Sequence, residues 1–228
     1  MTNPIIIALD VDSTAEALSL IEKIGPAAEF YKVGMEMYAT AGMDFVREVT
    51  NLGKNVFLDL KLYDIGETVK RATKQICAIA SPTFLTVHGS KTVMKAAVEG
   101  RANSTTKLLA VTVLTSFDQE DLADLGYPAP ISDLVELRVK KAAESGIDGI
   151  VCSPLDVARV RAVGGPGLKL ITPGVRSAGS SKGDQKRVAT PLEAIQNGAD
   201  YLVIGRQVTR AEDPRAACDQ ILAEIAGS

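Results

Sequence analysis

Histidine is nearly absent from this chain of 228 residues, since it occurs only once. A catalytic pair of histidine and carboxylate would therefore have to use His88, for which we favour a structural hydrogen-bonding role. The three cysteines are odd in number, widely spaced and without a CxxC pair. No cluster of His or Cys has the spacing of a zinc site. We interpret the cysteines as reduced thiols that mostly fill the core: Cys77, Cys152 and Cys218.

Strong net charge and long apolar runs are also missing. The formal net charge is -3 and no block of like charges occurs, which argues against nucleic acid or an anionic membrane as a partner. No apolar run approaches the ~20 residues of a membrane span. Residues 1–10 lack the basic start of a signal peptide, and Asp10 interrupts their apolar run. We therefore expect a cytoplasmic protein that does not associate with a membrane.

Short β-rich runs recur along the chain and alternate with segments of helical spacing. The eight runs are Ile5–Leu9, Phe30–Val33, Asn55–Leu60, Phe84–Val87, Leu108–Val113, Gly149–Cys152, Lys169–Ile171 and Tyr201–Ile204. Apolar strands between helices predict a parallel sheet covered on its outer side, and eight units close a (β/α)₈ TIM barrel. In an open doubly wound sheet we would expect a GxGxxG turn after the first strand, and the segment there, Asp10-Val11-Asp12-Ser13, does not match it. With no linker visible, we expect a single domain over residues 1–228.

Helix boundaries carry signals of their own. Thr190-Pro191-Leu192-Glu193 predicts a capping box, and Ser153-Pro154 and Asp213-Pro214 predict helix starts with proline in the first turn. Two units also resemble each other, because residues 143–151 and 195–203 both consist of a helix end, a glycine, an acidic residue and a strand. Glycines before strands predict left-handed helix ends: Gly53, Gly146 and Gly198.

The segment Asp59-Leu60-Lys61-Leu62-Tyr63-Asp64 follows the third apolar run and carries three charged side chains. Since side chains alternate along a strand, Asp59 and Lys61 point the same way, and Asp64 lies where the chain leaves the strand. Burying charge is costly unless each group is paired. The segment therefore indicates either a structural ion network or an active site.

In a barrel of this kind the chemistry lies at the C-terminal ends of the strands, where the conspicuous polar residues of this chain fall. They are Asp10, Lys32, Asp59, Lys61, His88, Thr112, Thr115, Arg176, Gly205 and Arg206. Each alone has another explanation; Lys32, for example, could extend its ammonium to solvent. Their convergence on one rim favours an active site.

Two loops on that rim predict an anion site. Residues 174–187 are polar, glycine-rich and carry four cationic side chains. We interpret them as a mobile loop that closes on a phosphate, the alternative being an ordinary surface loop. After the eighth strand, Gly205-Arg206 can bring backbone N–H groups and a guanidinium to one point. We expect a phosphorylated substrate.

The lysines limit what the site can do. The carboxylates of Asp10, Asp59 and Asp64 could hold Mg²⁺, but Lys32 and Lys61 among them would repel it, so we expect no metal. A Schiff-base lysine must be neutral, whereas flanking carboxylates keep Lys61 charged. The pattern favours charge stabilisation and proton delivery by an ammonium, without a cofactor.

From the first strand to the last, the motifs resemble those of the bacterial branch of the orotidine 5′-phosphate decarboxylase family. They are Ala8-Leu9-Asp10, Lys32-Val33-Gly34, Asp59-Leu60-Lys61-Leu62-Tyr63-Asp64-Ile65, Val113-Leu114-Thr115-Ser116, Thr172-Pro173-Gly174-Val175-Arg176, Gly183-Asp184-Gln185 and Ile204-Gly205-Arg206. The DxKxxD core alone is shared with sister enzymes that act on phosphate sugars, but the full set is specific. The resemblance implies cofactor-independent conversion of orotidine 5′-phosphate to UMP, the last step of de novo pyrimidine biosynthesis.

The resemblance also implies a homodimer and a role for each matching residue. Lys32, Asp59 and Lys61 would form an alternating charge array that Asp64 of the neighbouring subunit completes, and Lys61 would protonate the product. Asp10 and Lys32 would hold the ribose hydroxyls, Thr68 would reach across the dimer interface, and Thr115 would help to seat the pyrimidine. Gln185 would bridge the base and the phosphate, and Arg176 would support the closed loop. Gly205 and Arg206 would bind the phosphate.

Two alternatives stay open. A Mg²⁺-dependent decarboxylase or aldolase of a sugar phosphate would use the same barrel, but those relatives carry a metal-binding carboxylate where Lys32 stands. A non-catalytic barrel that binds nucleotide phosphates would tolerate the loss of Lys61.

Overall fold

The computed structural model describes residues 3–177 and 187–227, and within them eight parallel strands close into a barrel in chain order. The strands are β1 Ile5–Ala8, β2 Phe30–Gly34, β3 Asn55–Leu62, β4 Phe84–His88, β5 Lys107–Val111, β6 Gly149–Val151, β7 Lys169–Pro173 and β8 Tyr201–Ile204. The predicted single-domain (β/α)₈ TIM barrel is confirmed. Three strand ends differ from the prediction by two residues, since β3 continues to Leu62, β7 continues to Pro173 and β5 ends at Val111, and the other ends agree within one residue.

Helices connect the strands on the outside of the barrel. They are α1 Thr14–Ile24, α2 Met35–Asn51, α3 Gly66–Ile79, α4 Lys91–Arg101, α5 Gln119–Asp124, α6 Ile131–Ser145, α7 Val157–Gly164, α8 Pro191–Gln196, α9 Arg206–Thr209 and α10 Pro214–Ala226. Their apolar faces cover the sheet; α1 buries residues at helical spacing, namely Ala17, Leu20, Ile21 and Ile24. In residues 3–177 and 187–227, no helix combines the length and apolar character that crossing a membrane requires.

The predicted helix starts are confirmed in two cases and wrong in one. Thr190 and Glu193 form the capping box of α8, and Asp213 caps α10 just before Pro214. Helix α7, however, begins only at Val157. The preceding segment is a turn, because the Leu155 N–H donates to Ser153 Oγ at 3.3 Å before the helix can start.

The barrel interior is filled by side chains whose size decreases from the N-terminal to the C-terminal end. Phe30, Phe84 and Tyr201 begin their strands, and their rings pack with centroids 5.0, 5.4 and 5.6 Å apart. Burying one such ring stabilises the fold by about 1.5–3 kcal/mol. Toward the other end the interior residues are small: Ala8, Val111, Val151 and Val203. The aromatic layer therefore closes one end of the barrel, and the small side chains leave space at the other.

Candidate active site

A cavity of about 490 Å³ opens at the C-terminal ends of the strands, above the small interior side chains. The predicted site residues that line it are Asp10, Lys32, Asp59, Lys61, Thr115, Arg176, Gly205 and Arg206. Gln185 lies outside the described residues. The cavity is also lined by polar residues that the sequence analysis did not select: Asp12, Glu36, Ser116, Thr209 and Arg210.

Lys32 and Asp10 form one ion pair at the cavity. Lys32 Nζ donates to Asp10 Oδ1 at 2.8 Å, and the lysine side chain is only 11% exposed. The ammonium is therefore held inside the site and does not extend to solvent. Gly34 leaves room for the pair in this position, because a Cβ there would lie 2.7 Å from Lys32 Nζ and 3.1 Å from Asp10 Oδ1 and would displace them.

Lys61 and Asp59 form a second pair. Lys61 Nζ lies 2.9 Å from both carboxylate oxygens of Asp59. The Asp59 side chain is 15% exposed and the Lys61 side chain 33%. An ammonium has three donors. Asp59 therefore holds the Lys61 ammonium at a fixed place in the cavity, and the ammonium retains a donor for a ligand.

Strand β3 departs from a regular ladder where it carries these two charges. The β3–β4 register shifts between Leu58 and Leu62, so that residues 59–61 lie opposite Thr86 of β4. Lys61 has a φ of 50°, in the left-handed region that residues with a side chain rarely adopt. The alternation of an ideal strand, on which the prediction relied, is therefore interrupted within the motif itself.

Thr86 stabilises this irregular segment and was not predicted. Its Oγ1 accepts the Lys61 N–H at 3.0 Å and lies 2.9 Å from Asp59 Oδ1. Thr86 is completely buried. The signal available in the sequence is a hydroxyl inside the otherwise apolar run Phe84–Val87.

Two arginines stand on the side of the cavity formed after β8. Arg206 begins α9 directly after Gly205, and Arg210 follows that helix. Guanidinium groups bind phosphate oxygens through pairs of hydrogen bonds. This side of the cavity therefore suits the phosphate of a ligand.

The predicted closing loop begins with a fixed stem, while its residues 178–186 lie outside the described residues. The Arg176 N–H donates to the Ala189 carbonyl at 3.0 Å, which joins the two ends of the loop. Ser177 Oγ donates to Glu224 Oε2 at 2.6 Å and accepts from Gln207 Nε2 at 2.7 Å. Because Gln207 belongs to α9, the stem is tied to the element that carries Arg206.

The other end of the loop is anchored by a buried ion pair. Arg187 Nη2 lies 2.5 Å from Asp156 Oδ2, and the two side chains are 13% and 9% exposed. Ser153 Oγ also donates to the Arg187 carbonyl at 3.5 Å. Breaking a buried pair by removing one partner is strongly destabilising. Both ends of the loop are therefore fixed to the barrel.

His88 packs against a tyrosine instead of taking the predicted hydrogen-bonding role. Its ring stacks on Tyr63 at 4.1 Å, and its buried Nδ1 has no hydrogen-bond partner in the described part of the chain. Burial, together with the positive charge of Arg138, lowers the pKa of His88 to about 4. The imidazole is therefore neutral near physiological pH and cannot serve there as a protonated acid.

The cysteines are unpaired and buried, as predicted. Cys152 lies against the cavity, but burial raises the pKa of its thiol to about 12. A thiol that stays protonated is a poor nucleophile. Among the residues described, no group of three or more His, Cys, Asp or Glu side chains is placed to hold a metal ion.

Asp64 and Thr68 are exposed to solvent and do not line the cavity of their own barrel. Asp64 Oδ1 accepts the Ile65 N–H at 2.6 Å, and Thr68 belongs to α3. The neighbouring Tyr63 and Ile65 are 69% and 77% exposed. Large exposed apolar side chains therefore flank Asp64, one of the two residues that were predicted to act across a dimer interface.

Comparisons with known proteins bear on this geometry. A model described as "Orotidine 5'-phosphate decarboxylase / HUMPS family" matches residues 3–221. The orotidine 5′-phosphate decarboxylase of Rhodopseudomonas palustris (strain BisA53) is 50% identical over 224 residues, which cover 98% of this chain and 95% of the relative. That of Afipia carboxidovorans is 48% identical over 228 residues and covers 99% and 97% of the two chains. The crystal structure of orotidine 5′-phosphate decarboxylase from Lactobacillus acidophilus superimposes with a TM-score of 0.85 at 36% identity, over 97% of this chain and 98% of that chain.

Proposed function

Because this chain belongs to the orotidine 5′-phosphate decarboxylase / HUMPS family, we propose that it converts orotidine 5′-phosphate to UMP and CO₂ in the cytoplasm, as the last step of de novo pyrimidine biosynthesis. The observation that carries this proposal is the Lys61 ammonium, which lies 2.9 Å from both oxygens of Asp59 beside the cavity. No cofactor takes part in the proposed reaction.

In the chemical step, the bond between carbon 6 of the pyrimidine and its carboxylate breaks and CO₂ leaves. The electron pair remains on carbon 6 as a vinylic carbanion, which the ring delocalises poorly. Lys61 stabilises this negative charge electrostatically and then transfers an Nζ proton to carbon 6. The product is UMP, and the amine regains a proton from water.

One lysine does not account for a large acceleration. Two unit charges ~4 Å apart interact by about 4 kcal/mol at an effective dielectric constant of ~20. The upper range of enzymatic acceleration corresponds to about 23 kcal/mol. The remainder comes from substrate groups distant from carbon 6, above all the phosphate, whose binding orients the ring and excludes water.

Different residues around the cavity contact different parts of the substrate. Asp10 and Lys32 bind the ribose hydroxyls, and Lys32 also belongs to the charge array. Thr115 contacts the pyrimidine. Gln185, on the loop of about residues 174–187 that closes over the substrate, bridges the base and the phosphate, and Arg176 supports the closed loop. Gly205 and Arg206 bind the phosphate. Arg206 and Gly205 line the cavity on the side that follows β8, and the described ends of the loop are anchored to the barrel.

A homodimer completes the site. Asp64 and Thr68 are exposed and do not line the cavity of their own barrel, and the side chains on either side of Asp64, Tyr63 and Ile65, are apolar and exposed. In the dimer each subunit contributes Asp64 to the charge array and Thr68 to the substrate contacts of its neighbour. An isologous contact of this kind buries the same patch on both subunits.

The Mg²⁺-dependent alternative on the same barrel is disfavoured by the position of Lys32. Its ammonium is paired with Asp10 and stands inside the cavity, together with that of Lys61. Two ammonium groups beside the carboxylates oppose the binding of a divalent cation.

The test is to incubate the purified chain, after exhaustive chelation, with orotidine 5′-phosphate and to follow the ultraviolet change as UMP forms. We expect turnover that chelation does not reduce. The matched Lys61→Ala variant should still bind UMP but lose nearly all turnover. Activity that requires added Mg²⁺ would favour the alternative, and wild-type turnover in Lys61→Ala would refute the role of Lys61.

A further inference from the structure

Resting on the proposed function, we infer that Thr86 is a positioning residue: its hydroxyl holds the Asp59–Lys61 pair in the geometry that the reaction needs. Thr86 does not belong to the lining of the cavity described above. It acts through the two charged residues, which do line it.

The direction of the hydrogen bonds at Thr86 follows from the groups involved. The Lys61 backbone N–H can only donate, so Thr86 Oγ1 accepts it at 3.0 Å. An ionised carboxylate can only accept, so the same hydroxyl donates to Asp59 Oδ1 at 2.9 Å. The Leu58 carbonyl at 3.5 Å is a more distant acceptor for that proton. A single hydroxyl therefore connects the backbone of the lysine to the side chain of the aspartate.

This connection replaces part of the strand ladder. In a regular pair of strands a carbonyl of β4 would accept the N–H of β3, but the register shift places residues 59–61 opposite Thr86. The left-handed φ of 50° at Lys61 persists only if its surroundings hold it. The Thr86 hydroxyl supplies an acceptor at this point, so it fixes both where the Lys61 backbone lies and how Asp59 is oriented.

The position of the lysine ammonium depends on both contacts. Asp59 Oδ1 receives the Thr86 hydroxyl and also lies 2.9 Å from Lys61 Nζ. If the hydroxyl is lost, the carboxylate keeps its contact with the Lys61 ammonium but loses the donor that fixes it to β4, and the Lys61 N–H loses its acceptor. A misplacement of about 1 Å at a reacting group can lower turnover by about 100-fold.

The experiment compares four residues at position 86: the native Thr, Thr86→Val, Thr86→Ser and Thr86→Ala. Thr and Val differ only by the hydroxyl, and so do Ser and Ala, which both lack the methyl group. The measurements are kcat for orotidine 5′-phosphate, the Kd of UMP and the thermal midpoint. The matched control is Thr106→Val, because Thr106 is 1% exposed and lies just before the N-terminal end of β5, at the opposite end of the barrel.

We expect kcat to fall by about 10- to 100-fold in Thr86→Val and to stay within about threefold of wild type in Thr86→Ser. The Kd of UMP should change little, and Thr106→Val should retain wild-type kcat. If Thr86→Val does not fold, the Ser and Ala variants provide the same comparison. Equal kcat with and without the hydroxyl, or an equal loss of kcat in Ser and Ala, would overturn the inference. A wild-type chain without turnover would instead contradict the proposed function.

Discussion

The two ends of the barrel both contain carboxylates paired with cations, but they use them differently. At the N-terminal end, Asp200 Oδ2 accepts the Leu170 N–H at 2.8 Å and Arg161 Nη2 at 2.7 Å. At the C-terminal end, Asp59 accepts the Lys61 ammonium beside an open cavity. Asp200 is tied to the backbone of a neighbouring strand, whereas Asp59 is bound by the Thr86 hydroxyl and by a lysine that lines the cavity.

The N-terminal arrangement occurs twice, in the two similar units of the sequence. Asp148 accepts the Leu108 N–H at 2.8 Å and pairs with Arg101. Its own N–H donates to the Leu108 carbonyl at 3.0 Å. Asp200 and Leu170 exchange the same two bonds. The repeated acidic residue is therefore a clamp between neighbouring strands.

The cations differ as well. At the N-terminal end the Arg161 guanidinium donates its hydrogen bonds within the protein. Besides Asp200 it binds three backbone carbonyls, those of Gly165, Leu168 and Gly198. Asp200 also accepts from Lys169 Nζ at 3.0 Å. At the C-terminal end Asp10 and Asp59 pair with Lys32 and Lys61, and an ammonium is a compact charge on a flexible stem. An ion pair whose donors are all used within the protein stabilises the fold, whereas a pair whose ammonium retains a donor can also bind a substrate.

The first prediction contrasts arginines at the two ends. Arg206→Ala should reduce kcat/KM for orotidine 5′-phosphate about 10- to 100-fold more than for the nucleoside orotidine, because the nucleoside has no phosphate to bind. Arg101→Lys, at the N-terminal end, should leave the ratio of the two substrates unchanged. Steady-state rates with both substrates measure this. Equal losses on both substrates in Arg206→Ala would contradict the phosphate assignment.

The second prediction concerns the C-terminal end of the barrel, where Asp64 of a neighbouring subunit is proposed to complete the site. Mixing inactive Lys61→Ala with inactive Asp64→Ala should restore about a quarter of wild-type activity, because half of the randomly assorted dimers contain one intact site. Mixing Lys61→Ala with Asp59→Ala is the control, since both residues belong to the same barrel and no hybrid has an intact site. Subunit exchange is verified by mass spectrometry, and absence of recovery despite exchange would argue against the shared site.

Periodicity and motif order were sufficient to predict the eight strands, the barrel and most of the polar side chains that line the cavity. Strand alternation predicted that Asp59 and Lys61 would lie together, but it could not predict the register shift that Thr86 supports. That shift depends on contacts between β3 and β4, which are distant in sequence. A resemblance between the two acidic units was visible, whereas their pairing with arginines on other helices was not.

Local patterns were also insufficient where burial determines the chemistry. His88 was expected to form hydrogen bonds, but its neighbours are an aromatic ring and an arginine from other elements. The loop anchor between Arg187 and Asp156 joins residues from different loops, and neither belongs to a recognisable motif. Such pairs follow from the closed barrel, which brings successive loops side by side.

The third prediction, with the smallest effect, is that Asp200→Asn costs stability and not turnover. Burial alone would raise the pKa of Asp200, but the Leu170 N–H, Lys169 and Arg161 outweigh it and hold that pKa below its ordinary value of 3.8. The carboxylate therefore stabilises the fold above that value, and this contribution is lost as the pH falls through the lowered pKa.

Urea unfolding at a series of pH values should show that Asp200→Asn is less stable by about 1–3 kcal/mol at neutral pH, with the difference shrinking in acid. Its kcat should stay near wild type, while Asp59→Asn, the counterpart at the cavity, should lose turnover. A stability difference that does not vary with pH would show that the charge of Asp200 is not what clamps the strands. If Asp200→Asn lost turnover at saturating substrate, the contrast between a stabilising N-terminal end and a catalytic C-terminal end would be wrong. The Asp200 ion pair lies at the end of the barrel opposite the cavity, so it can influence the substrate only through the stability of the fold.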